Sequence, residues 1–82
     1  MDKKHEELIG KNKLQYLNEL YSLAMRYGIR RSDIGAYIFG KKEYSRIYQI
    51  RNPQLETVIN IEKNINEMID LRKKGKIFDI KQ

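Results

Sequence analysis

Lys42, Ser45, Arg46 and Gln49 fall three and four residues apart in a stretch without proline. On a helix that spacing gathers them on one outward side. Their chemistry is that of hydrogen-bond readers: arginine and lysine match guanine O6 and N7, glutamine matches adenine, and serine accepts either role. Around them stand Arg30, Arg31, Ser32, Lys41 and Arg51, cations and a hydroxyl of the kind that hold phosphate oxygens. From residue 30 to residue 51 six basic side chains face two acids, whereas residues 52–71 hold four acids and one lysine. That segregation says more than the net charge of +6, because a general positive charge also serves solubility.

Other chemistries find little material. The carboxylates do not cluster with histidine, serine or another nucleophile in an acid–base pattern, and no glycine-rich phosphate loop is present. The expectation is therefore no enzyme, no cofactor and no small-molecule substrate. The chain has no cysteine and one histidine, His5, which rules out disulfides and leaves a structural zinc site with neither a thiolate nor a second imidazole, so none is expected. His5 reads as a surface residue. No apolar run approaches the roughly 18 residues that cross a bilayer. The charged first residues, Met1 to Glu7, are not followed by an apolar core and do not form a signal peptide. A cytoplasmic protein without membrane contact is expected.

The 82 residues suit one domain, with residues 1–12 a flexible or short helical arm and residues 76–82 a tail. Glycine and proline punctuate a helix-friendly chain. The spacing of Leu14, Leu17, Leu20, Tyr21 and Ala24 predicts a first helix from Lys13 to Tyr27, closed by Gly28. A second short helix, Asp33 to Phe39, starts from Ser32 as N-cap with Asp33 at its positive end. It buries Ile34, Tyr37 or Ile38, and Phe39. Gly35 and Ala36 are small enough to let a neighbouring helix approach closely, and Gly40 ends the element. A third helix, Lys42 to Ile50, buries Tyr44, Ile47 and Ile50, with Tyr37, Tyr44 and Tyr48 in the core or at its edge. Pro53 breaks the pattern.

The fourth and longest helix, Gln54 to Lys74, carries Val58, Ile61, Ile65 and Met68 in its stripe, widened by Leu55, Ile59, Ile69 and Leu71. Acids precede Arg72, Lys73 and Lys74, an order that suits the helix dipole, and Gly75 caps it. The tail, Lys76 to Ile80, alternates polar and apolar residues like a short strand. The fold expected is all-α: a compact bundle of four to five helices containing a helix-turn-helix, in which the helix at 42–50 enters the major groove.

The run Tyr44-Ser45-Arg46-Ile47-Tyr48-Gln49-Ile50-Arg51-Asn52-Pro53-Gln54-Leu55-Glu56-Thr57-Val58 resembles the Cro and phage-repressor type of helix-turn-helix domain. Ala36 and Gly40 supply that family's alanine and glycine, four residues apart, at the end of the second helix. Ser45-Arg46 sits one residue further from Gly40 than a second register would place it, so two registers of the third helix stay open. Arg51-Asn52 stands where the family has glycine. The resemblance covers about residues 13–72. It implies double-stranded DNA as ligand and a homodimer on a near-palindromic operator.

A dimer also answers a packing question. The stripe of the fourth helix either closes the domain core or is wider than three short helices cover and pairs in part with a second copy, and Ile77, Phe78 and Ile80 form an apolar tail that is a liability unless it packs. Pairing through Ile65, Met68 and Ile69, through Ile77, Phe78 and Ile80, or through both is expected. It would set two recognition helices about 34 Å apart. The function expected is that of a sequence-specific transcriptional regulator, repressor-like, from a phage or other mobile element. The alternative is a small basic interaction module, an inhibitor or adaptor, docking on an acidic protein.

Overall fold

A computed structural model describes residues 12–76. These described residues form three α-helices and one 3-10 helix: α1 (Lys13–Met25), α2 (Arg31–Phe39), the 3-10 helix (Lys41–Gln49) and α3 (Leu55–Lys73). The described residues contain no strand, so the all-helical class is as the periodicity predicts. Residues 1–11 of the expected N-terminal arm lie outside the described residues, as does the tail from residue 77.

Each helix end has a local cause. Asn12 caps α1, its Oδ1 accepting from the Leu14 and Gln15 amides at 3.0 and 3.2 Å. At the other end Gly28 has φ +74°, a conformation costly for residues with a Cβ. The Gly28 amide donates to the Met25 carbonyl at 3.0 Å and the Ile29 amide to the Ala24 carbonyl at 3.1 Å. This double bond is a Schellman turn, and it delivers Ile29 into the core, fully buried. α1 ends two residues before the Tyr27 predicted from its stripe, because this turn takes up the last residues.

α2 begins two residues earlier than predicted. Arg30, not Ser32, is the N-cap. The carboxylate of Asp33 accepts from the Arg30 backbone amide at 2.9 Å, so Asp33 closes the helix from inside and leaves Ser32 within the first turn.

The core is built from Leu17, Leu20, Tyr21 and Ala24 of α1, Ile34 of α2, Ile47 of the 3-10 helix, and Val58, Ile61, Ile65, Met68 and Ile69 of α3, with Ile29 between α1 and α2. Burying each large aliphatic side chain contributes about 1.5–3 kcal/mol. The predicted stripes of α1 and α3 are thus the core faces. One consequence corrects the dimer expectation. Ile65 and Met68 are 0% exposed and Ile69 is 7% exposed within the single chain, so they close its own core and offer no surface to a second copy.

The third element departs most from expectation. It is a 3-10 helix rather than an α-helix, with a kink at Glu43 (φ −120°, ψ 22°). Gly40, at φ 103° and ψ 157°, turns the chain into it. Its backbone lies directly on α2: a Cβ built on Gly35 would stand 2.1 Å from the Tyr44 carbonyl oxygen and 3.0 Å from Ile47 Cγ2. The predicted close approach at Gly35 is therefore real.

Candidate nucleic-acid interface

Of the nine residues Lys41–Gln49 only Ile47 is buried, at 2% exposure. Lys41, Lys42, Glu43, Tyr44, Ser45, Arg46, Tyr48 and Gln49 are all exposed, and Arg51 and Asn52 follow them. Ile47 and the Gly35 contact fix the strip to α2 and leave the rest to solvent. Arg51 also borders an open hollow of 380 Å³ lined by Asn12, Lys13 and Pro53. Lys13 therefore adds a cation at the end of the strip that sequence spacing did not assign.

Residues three apart share an edge of a 3-10 helix. Arg46 and Gln49 consequently share one edge, and Ser45 shares another with Tyr48. Lys42 stands before the Glu43 kink. An α-helix would have grouped Lys42, Ser45, Arg46 and Gln49 on one side; the observed geometry groups Arg46 with Gln49 and separates the other two.

Arg46 is already engaged. Its Nη1 lies 3.3 Å from Glu43 Oε2, and its guanidinium carbon lies 4.9 Å from the centre of the Phe39 ring. The exposed ion pair is worth at most about 1 kcal/mol, so it orients the guanidinium without locking it. Arg30 is exposed and pairs with Asp33 at 3.4 Å. Arg31 lies between two aromatic rings, 4.5 Å from the centre of Tyr21 and 5.9 Å from that of Tyr48. Ser32 is half-buried.

The tyrosines correct the expected core. Tyr37 packs against it and donates to Glu67 Oε2 at 3.3 Å. Tyr44 and Tyr48 do not: they are 45% and 46% exposed. Of Tyr44, Ile47 and Ile50, whose three-residue spacing predicts one buried side, Ile47 is buried, Ile50 is half-buried against the core, and Tyr44 is exposed.

Tyr21, behind the strip, is 6% exposed and its Oη has no hydrogen-bond partner among the described residues. Burial pushes its phenol up to about 12, against a smaller lowering by Arg31. Elsewhere Tyr16 donates a short hydrogen bond to the buried carboxylate of Glu62. No helix among the described residues is long and apolar enough to cross a membrane.

Comparison of the chain with protein-family models, with curated proteins and with solved structures gives no match.

Proposed function

We propose that the chain binds double-stranded DNA and reads its sequence with the exposed strip Lys41–Arg51, acting as a repressor-like regulator. The observation that carries this reading is the strip itself: a basic, almost wholly exposed segment held on α2 through Ile47 and Gly35, in a chain whose acids lie mostly elsewhere. Arg46 and Gln49 share an edge and form the base-reading pair, guanine for the arginine and adenine for the glutamine. Ser45 and Lys42 flank them. Lys41, Arg51, Arg30 and Ser32 contact phosphates, which supply affinity and its salt dependence but no sequence information. A second copy would double the contact area. Its interface is not Ile65, Met68 and Ile69, which are interior.

The test is selection from a random duplex library followed by substitution. Arg46→Ala is expected to lose discrimination at one base position by about 1–3 kcal/mol. Lys41→Ala should weaken selected and random duplexes alike and lower the salt slope. Unchanged binding of the selected site by Arg46→Ala would remove the reader assignment.

One observation favours a second reading. Exposed Tyr44 and Tyr48 beside Arg46 are residue types that dominate protein–protein interfaces. A protein partner would need Tyr48 more than the flanking lysines. Loss of partner binding in Tyr48→Ala, with Lys41→Ala unaffected, would favour this module over DNA.

A further inference from the structure

Arg31 was expected at a phosphate, but its surroundings describe a different task. It is the first residue of α2. Its guanidinium lies 4.5 Å from the ring centre of Tyr21, a buried residue of α1, and 5.9 Å from that of Tyr48, an exposed residue of the 3-10 helix. Both distances fall within the roughly 6 Å over which a cation is attracted to an aromatic face. One planar cation thus spans three elements.

The 3-10 helix needs such a strut. It buries one side chain, Ile47, and it rests on α2 where Gly35 admits it. Short 3-10 turns have poorer hydrogen-bond geometry than α-helix and rarely run long unsupported. Ile47 and Gly35 hold one side of the segment, and on another side Tyr48 lies within reach of the Arg31 guanidinium. Tyr21 makes a firm anchor, since its ring is fixed in the core.

We infer that Arg31 is a positioning residue: stacked between Tyr21 and Tyr48, it holds the Lys41–Gln49 segment in the orientation that presents Arg46 and Gln49. The consequence for DNA rests on the reading above; the consequence for the segment does not.

Two readouts on the full chain separate these. The first is amide hydrogen exchange without DNA. Arg31→Ala is expected to speed exchange at residues 44–49 roughly fivefold, the size of one partly exposed cation–aromatic contact, and to leave α3 unchanged. Tyr48→Leu should match it, Tyr48→Phe should behave as wild type, and the double variant Arg31→Ala/Tyr48→Leu should be no worse than either single change. The second is the ratio of selected-site to random-duplex affinity. It should fall by a similar factor in Arg31→Ala, while random-duplex affinity stays within about twofold, because the charge removed is one that faces aromatic rings rather than a phosphate.

Unchanged exchange at residues 44–49 in Arg31→Ala overturns the proposal. So does a double variant whose effect is the sum of the two singles, since residues in one contact are non-additive. Equal weakening of both duplexes with a salt slope lower by about one would make Arg31 a phosphate contact instead. If wild type discriminates no duplex at all, the DNA reading fails alone, and the exchange data still decide the role of Arg31.

Discussion

α3 and the Lys41–Gln49 segment divide the work of the molecule between them. α3 buries Val58, Ile61, Ile65, Met68 and Ile69, and its acids precede the basic residues at its end. The 3-10 helix buries Ile47 and exposes two lysines, an arginine and two tyrosines. Stability therefore concentrates in one element and candidate contacts in the other. The difference teaches that substitutions in the strip can be read as effects on binding, provided they leave alone Ile47 and Tyr48 and the residues that hold them, Gly35 and Arg31.

The largest effect should come from the core side of this division. Ile65→Ala is expected to cost about 2–5 kcal/mol, the range for deleting a buried aliphatic side chain. In a domain this small that change approaches the whole stability. Chemical denaturation measures it, and a cost below about 1 kcal/mol would mean that α3 is not the centre of the core.

Gly35→Ala strikes the seat of the 3-10 helix on α2. The new Cβ would lie 2.1 Å from the Tyr44 carbonyl oxygen, and a backbone atom cannot swing aside as a side chain does. A loss of about 1–3 kcal/mol is expected, with faster amide exchange at residues 41–49 before that of α3. Wild-type stability in this variant would show that the segment does not rest on Gly35.

Alkaline pH tests the buried phenol behind the strip. Tyr21 holds its proton up to about pH 12 when folded, against an ordinary value of 10.0. Between those values the unfolded chain has released a proton that the folded chain keeps. Stability then falls as pH rises, by up to about 1.4 kcal/mol per pH unit, and is unaffected by this group below pH 10. Tyr21→Phe removes that slope. It should also cost little or even stabilise, because the lost hydroxyl has no partner among the described residues and its burial is unfavourable.

The smallest stability effect belongs to the strip. Glu43→Gln is expected to change stability by less than about 0.5 kcal/mol, as for an exposed residue in a surface ion pair. It should tighten duplex binding, since it removes a like charge facing phosphates and frees Arg46 from its partner 3.3 Å away. Weaker duplex binding by this variant would make the Glu43–Arg46 pair part of the reading geometry.

The core was legible because α1 and α3 carry apolar residues at spacings of both three and four, a pattern that only an α-helix satisfies. Gly28 and Gly75 were legible as caps for the same local reason: both have positive φ. The strip was legible in charge and position but not in geometry. Tyr44, Ile47 and Ile50 recur only at three, with the exposed residues Tyr48 and Arg51 at the four-residue positions. That spacing suits three residues per turn as well as 3.6, and it was the available hint of a 3-10 helix. Nothing local foretold the Arg31 stack, which depends on three elements meeting. Nor could periodicity tell whether Ile65, Met68 and Ile69 faced inward or toward a second copy; the packing of α1 and α2 around α3 decided it.

The central claim is that the Lys41–Arg51 strip reads duplex DNA. Its most direct test is to titrate the protein against a selected duplex and a random one at two salt concentrations. The account predicts tight binding to the selected duplex and a much weaker, steeply salt-sensitive background on the random one, the gap between them collapsing in Arg46→Ala. Equal, weak binding to both duplexes that vanishes at the higher salt would contradict it, leaving a basic surface without a reader.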